Sequence, residues 1–350
     1  MTETAGSRDT SLDVARGVAI ILVVLGHSLR GLVAGGVVPQ RSLAWLDTWL
    51  YLTHLPVFAF AVGVLTPASV ARAGTRTYLG RRLGLLAWLY LVWTLLEGAV
   101  EVLSTPWKNV PVGWADVLTL WRPIGHLWFL PHLAVATVVL LGVAPWRPGV
   151  RAVLGSAAVT VVALAAWGWD PGYAGLQGLA LVPCYVAGAA IGHPRLRAVA
   201  SRAPSSLLAV GGLLLTAVVG LGAVWFGPTT PTTQSVRTVP SVALGVVLVA
   251  VALVGTISLA VVASRWPRAS GWVAYVGRQS LPVYLGHIVV TAGTRVLLLR
   301  AGVTAPAVHL VLSATLGVSL PLLLERATRA VPYLFVPPWQ VRRGPASAAR

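Results

Sequence analysis

Apolar runs long enough to cross a bilayer recur from end to end of this chain, separated by short gaps carrying arginine, proline and glycine. The pattern predicts ten helices, over residues 12–34, 44–66, 82–103, 125–143, 151–168, 173–192, 206–226, 240–263, 272–294 and 305–324. The seventh and eighth hold almost no charge, while the fifth and sixth are short and glycine-rich. The first is different. Residues 11–28 are apolar enough to span, yet they carry Asp13, Arg16 and His27. On an α-helix the eleven-residue step from Arg16 to His27 turns about 1100°, close to three whole turns, and rises roughly 16 Å. Asp13 lies one turn before Arg16, at the i,i+3 spacing that lets the two pair. Unpaired charge in hydrocarbon costs several kcal/mol, so this stripe must face protein or water. The first helix is expected to line a site.

The positions of the basic residues test the count. With the N-terminus on the inside, eighteen of the 26 Lys and Arg residues fall in inner segments and seven in outer ones, the remaining one being Arg16 within the first helix. That excess obeys the positive-inside rule with both termini cytoplasmic, and a missed helix would scramble it. The fold class is therefore all-α and integral to the membrane. Residues 1–330 form a single polytopic domain, followed by a Pro-, Arg- and Ala-rich tail over 331–350 that reads as disordered. The N-terminus does not read as a cleaved leader, because its apolar core is too long and lacks a small-residue cleavage site.

Composition agrees with the pattern. Hydrophobic residues make up 57% and charged residues 10%, with a mean hydropathy of +0.81. The net charge of +17 invites a nucleic-acid reading, but the arginines sit in gaps between apolar runs, where topology explains them better. No nucleic-acid partner is expected; membrane lipids are. A single cysteine, Cys184, excludes an intramolecular disulfide and a multi-cysteine metal site.

Chemistry enters through the histidines. His27, His54, His126, His132 and His287 fall in the outer half of the predicted bundle, which suggests a wet, polar cavity. Imidazole suits general-base work near neutral pH and can also ligate a metal, but no His-x-x-x-His spacing occurs on one helix, and no metal is expected. Arg16 lies near the inner surface, where its guanidinium can receive a phosphate arriving from the cytoplasm or, on a blander reading, snorkel to the headgroups. Trp128 and Phe129 can stack on a sugar ring or simply belong to an interfacial aromatic belt. Tyr284 and His287 share a helical face at i,i+3.

Four stretches carry a resemblance. Leu12-Asp13-x-x-Arg16-Gly17-x-x-Ile20-x-x-Val23-Val24-x-Gly26-His27-Ser28 comes first, and His54-Leu55-Pro56-Val57-Phe58 second. Leu127-Trp128-Phe129-Leu130-Pro131 and Ser280-Leu281-Pro282-Val283-Tyr284-Leu285-Gly286-His287 follow. In this order the chain resembles the acyltransferase 3 family of membrane acyltransferases, including the branch that O-acetylates sugars. The resemblance covers residues 11 to about 325, with Ala59 and Gly286 standing where relatives often carry bulkier side chains.

The resemblance implies an O-acyltransferase that moves an acyl group, acetyl above all, from acyl-CoA to a hydroxyl of a carbohydrate or glycan-containing acceptor. His27 would be general base or transient acyl carrier, with Arg16 and Asp13 beside it and Arg16 and Arg278 on the donor. His54, His126, Trp128, Phe129, His132, Tyr284 and His287 would line the acceptor side. A protein needed to finish the transfer outside the cytoplasm would be a separate partner. Two rival readings stay open: a multi-pass transporter or exporter of a small anion or glycan, since buried polar residues also mark ion pathways, and a catalytically inactive assembly partner.

Overall fold

The computed structural model describes residues 10–105, 112–233, 237–328 and 332–340. These residues form an all-helical bundle, with no strand among them. The helices are α1 (Ser11–Ala34), α2 (Ala44–Ala73), α3 (Thr75–Leu103), α4 (Trp114–Leu118), α5 (Phe129–Val143) and α6 (Val150–Ala165), then α7 (Val182–Arg202), α8 (Ser205–Trp225), α9 (Val239–Ser264), α10 (Pro267–Arg278), α11 (Ser280–Arg300) and α12 (Pro306–Ala327). Eight of them are long and apolar enough to cross a membrane: α1, α2, α3, α5 with the 3₁₀ turn at Gly125–Trp128 that precedes it, α8, α9, α11 and α12. α6 is a shorter apolar helix.

α1 occupies the middle, touching α2, α9, α10, α11 and α12. Its 24 residues rise ~36 Å, enough to cross the hydrocarbon with a turn to spare. α6, α8 and α9 instead present large apolar side chains outward, including Leu154, Val161, Leu213, Leu214 and Val247. That is the arrangement expected when lipid rather than water surrounds the bundle. Small residues bring the central helices together. A side chain at Gly277 of α10 would collide with the Asp13 carbonyl of α1, and one at Gly17 of α1 with the Val273 carbonyl of α10. Gly63 of α2 and Gly188 of α7 are matched in the same way against the Tyr185 and Phe60 carbonyls. Gly286 lies on α11 where a Cβ would meet Pro321 of α12 at 3.2 Å, so a bulkier residue would push these helices apart.

Three predicted elements come out differently. The ninth expected helix, 272–294, is two helices that meet at Gln279. Proline in the first turn of α11, at Pro282, has no N–H to offer the Arg278 carbonyl, which weakens the junction where the break falls. α10 starts earlier than its apolar residues suggest because Pro267 stands in its first turn, where proline is favoured. The sixth expected helix, 173–192, is a loop as far as residue 178; Gly172, Gly175 and Gly178 all adopt positive φ. Helix resumes at Val182 and kinks at Gly192. Of the tail expected to be disordered over 331–350, residues 332–340 pack on α3, while 331 and 341–350 lie outside the described residues. Trp88 and Trp93 donate their indole N–H groups to the carbonyls of Tyr333 (2.7 Å) and Leu334 (2.8 Å), and Phe335 is buried in the main core. Two indole donors, that of Trp93 buried, and an aromatic anchor give this segment partners that composition does not reveal.

Candidate active site

The central feature is a cavity of about 730 Å³ running along α1. From α1 it is lined by Arg16, Ile20, Val23, His27 and Arg30, spaced by four, three, four and three residues as one face of a helix requires. Arg16 and Arg30 therefore mark its two ends, ~21 Å apart along the axis, with His27 between them. α2 contributes Tyr51 and His54, α11 contributes Tyr284, and the turn at Gly125–Trp128 contributes His126.

The Arg16 end is a cationic mouth. Arg16 donates from Nη2 to the hydroxyl of Ser280 at 2.9 Å, and its Nη1 lies 4.0 Å from the Asp13 carboxylate. The other oxygen of Asp13 lies 3.8 Å from Arg278 Nη1. One nearly buried carboxylate thus holds two guanidinium groups from different helices, and Arg82 of α3 joins them in the wall. Three arginines against one aspartate leave net positive charge where planar donors can grip phosphate.

Around His27 the side chains are imidazoles. The His27 ring centre lies 5.1 Å from that of His287 and 6.1 Å from that of His126, and those two are 4.8 Å apart. His287 donates from Nδ1 to the Tyr284 carbonyl at 2.7 Å, which leaves Nε2 with its lone pair. His54 likewise contacts the Leu50 carbonyl through Nδ1, turning its other nitrogen into an acceptor. Tyr284 donates its hydroxyl to the His126 carbonyl at 2.8 Å, tying α11 to the turn before α5. Glu97 of α3 is 4% exposed, with Oε1 3.7 Å from His126 Nε2. Among the described residues, no group of three or more His, Cys, Asp or Glu could hold a metal ion.

The Arg30 end has no excess of positive charge. Arg30 makes a two-pronged pair with Asp47 at 2.7 and 2.8 Å and lies over the Tyr51 ring at 4.0 Å. Asp170, Gln177, Thr232 and Thr233 line this end from two loops. Asp170 accepts from Gln177 Nε2 at 2.9 Å and from the Gly172 amide at 3.2 Å. Partial burial pushes its carboxyl above the ordinary carboxylate range despite those two hydrogen bonds, which pull the other way.

The structure brings most of the sequence-selected residues to this cavity. Arg16, His27, His54, His126, Trp128, Phe129, Tyr284 and Arg278 line it, with Asp13 behind the arginines and His287 behind His27. His132 does not reach it. Fully buried, it packs between the rings of Trp128, Phe129 and Tyr185. His309 meets the Val303 carbonyl at 2.8 Å, at a helix end away from the site. Sequence reasoning missed Glu97, the Arg30–Asp47 pair and Asp170 with Gln177. Of these, Glu97 carried a visible signal: an acid inside an apolar spanning run.

Comparison with known proteins gives this cavity a context. Over 132 residues, 35% of this chain and 33% of the relative, the chain is 30% identical to nodulation protein NolL of Mesorhizobium japonicum. Over 130 residues, 36% of the chain and 34% of the relative, it is 29% identical to nodulation protein NolL of Sinorhizobium fredii. The alignment spans about a third of the length of these curated relatives. No solved structure matches the chain. The acyltransferase domain family, in contrast, matches residues 9–326, almost the whole chain and every wall of the cavity. With its helices of membrane-spanning length, the chain belongs to the acyltransferase 3 family.

Proposed function

We propose that this protein transfers an acyl group, acetyl in the simplest case, from acyl-CoA to a hydroxyl of a carbohydrate or glycan-containing acceptor. The observation that carries the reading is one cavity running along α1 from the cationic end at Arg16 to Arg30, with His27 between them. In this reading α6 and the first half of α7 also cross, giving ten spans with both termini cytoplasmic, and the Arg16 mouth opens inward. The phosphates of the donor meet Arg16, Arg82 and Arg278, and the pantetheine arm carries the thioester toward His27. Asp13 holds two of those arginines in place. The acceptor enters past Arg30, where His54, Trp128, Phe129 and Tyr284 lie along its path.

The transfer balances in either of two ways. His27 takes the proton of the acceptor hydroxyl, the oxygen attacks the thioester carbonyl, the C–S bond breaks, and the departing thiolate receives the proton from imidazolium. Alternatively, His27 itself attacks, the C–S bond breaks, the CoA thiolate takes the ring N–H proton, and the acyl-imidazole then passes its acyl group to the hydroxyl, whose proton returns to the imidazole. Membrane lipids surround the enzyme. A partner protein outside the cytoplasm would finish the modification where the acceptor must be carried onward.

A long cavity lined by charged residues also suits an exporter, and donor chemistry separates the two. Purified protein in detergent, given acetyl-CoA with water as a slow acceptor, should release free CoA thiol above the rate without protein. Adding deacetylated glycan should accelerate the release and place label on the glycan. Binding of acetyl-CoA with neither thiol release nor label transfer would reject the acyltransferase reading in favour of the exporter.

A further inference from the structure

Glu97 has no part in the reaction just described, yet its setting is unusual. It sits in α3 as the acid of an otherwise apolar turn, 4% exposed, and faces a histidine that is 5% exposed. The adjacent Gly98 packs against Val117 of α4, which covers this turn from outside. A carboxyl group is costly to bury, and Glu97 Oε1, which has no hydrogen-bond partner, approaches His126 Nε2 at 3.7 Å. The ring of His126 is fixed in turn by Tyr284, whose hydroxyl holds its carbonyl and whose ring lies 4.9 Å away. Both ring nitrogens of His126 are buried without a hydrogen-bond partner, Nε2 toward Glu97, on a ring that stands edge-on to His27.

We propose that Glu97 is a positioning residue that acts on His27 through His126. The carboxylate accepts the Nε2 proton of His126 and so fixes its tautomer. The lone pair on Nδ1 is then free to accept an N–H from His27, which keeps the other His27 nitrogen unprotonated toward the thioester and acceptor. Glu97 exchanges no proton with substrate. It selects which of the ring nitrogens carries one. A chain of carboxylate, imidazole and second imidazole works by the same logic as a carboxylate orienting a single catalytic histidine, where a neutral amide in its place enforces the wrong tautomer. Separations longer than a hydrogen bond are expected to tighten once substrate is bound.

The inference rests on the acyltransferase reading, and its test keeps the two apart. Turnover of acetyl-CoA by the unmodified full-length protein comes first; if there is none, the functional reading falls and the inference with it. Given wild-type turnover, Glu97→Gln should lower kcat roughly 10- to 100-fold, the range spanned by moving one buried charge beside a histidine. KM for acetyl-CoA should stay within about twofold, and Glu97→Asp should recover part of the lost rate. Glu97→Gln, His126→Asn and the double variant complete a cycle. Residues acting as one unit lose no more together than His126→Asn loses alone. A kcat for Glu97→Gln within about twofold of wild type, or a double variant whose losses multiply, would overturn the proposal. Should Glu97→Gln fail to fold, Glu97→Asp carries the same decision. A raised KM with unchanged kcat there would mark Glu97 as structural, and a lowered kcat with unchanged KM as positioning.

Discussion

Helix α10 offers a test in which one substitution, made twice in one helix, should give opposite results. At Gly277 an added Cβ would sit 2.7 Å from the Gly17 nitrogen and 2.8 Å from the Asp13 carbonyl carbon, and nearer still to that carbonyl's oxygen. Ordinary contact begins near 3.4 Å, so the nitrogen contact alone asks α1 and α10 to separate by 0.7 Å, the difference between 3.4 and 2.7 Å, and the nearer carbonyl oxygen asks for more. Both sides of the contact are backbone, so no side chain can rotate away. Overpacking of this kind costs roughly 2 kcal/mol. The same movement stretches the bridge from Asp13 to Arg278, which is already 3.8 Å long, and shifts the arginines that face the donor. A misplacement approaching 1 Å around a reacting centre lowers turnover by roughly 10- to 100-fold. Gly271, two turns earlier, has nothing within 4 Å of its would-be Cβ. There Gly271→Ala removes a poor helix former and stabilises by up to about 1 kcal/mol. The assay is thermal unfolding in detergent followed by tryptophan fluorescence, paired with kcat/KM for acetyl-CoA. Gly277→Ala should lower the midpoint by about 2–4 °C and depress turnover, while Gly271→Ala should leave turnover intact. Equal behaviour of the two variants would refute the claim that α10 positions the cationic mouth through backbone contact with α1.

Other expectations follow from the same geometry. Ser280→Ala removes a neutral partner of Arg16 and should raise KM for acetyl-CoA roughly three- to tenfold, by about 1 kcal/mol, with kcat unchanged; steady-state kinetics over a range of donor concentrations reads this out. Arg16→Lys keeps the charge but loses the planar fork, and its donor KM should rise about tenfold at constant ionic strength. Arg30→Gln breaks the pair with Asp47 at the opposite mouth, so it should slow transfer to a glycan while leaving hydrolysis of acetyl-CoA within about twofold of wild type. His132→Leu lies outside the cavity and should keep kcat/KM within about threefold while altering the thermal midpoint.

Much of α1 could be read in advance because its register depends on one helix alone. The spacing of Arg16 and His27 puts both on one face whatever the neighbouring helices do, and the cavity extends that face to Arg30. Relations between helices were not readable in this way. Nothing in the sequence joins Glu97 to His126, or Asp13 to Arg278, until α3, α5, α10 and α11 pack. His126 and His132 looked alike, six residues apart on one expected helix. The 3₁₀ turn at Gly125–Trp128 changes the register between them, turning one ring to the cavity and the other to the core. Helix ends failed where hydropathy and backbone chemistry disagreed. α10 is amphipathic, so an apolar window undercounts it, and the loop before Val182 is apolar but built on glycines with positive φ. The segment at 332–340 is ordered by partners on α3 that lie some 240 residues away in sequence.

The central claim is that His27 performs the chemistry. It is tested most directly by incubating wild-type protein and His27→Ala with acetyl-CoA labelled in the acetyl group, then counting released acetate and label on the protein. The account predicts turnover or labelled protein for wild type, and neither for His27→Ala, with donor binding retained because Arg16, Arg82 and Arg278 are untouched. Turnover by His27→Ala equal to that of wild type would contradict it and move the reaction to another residue of the cavity.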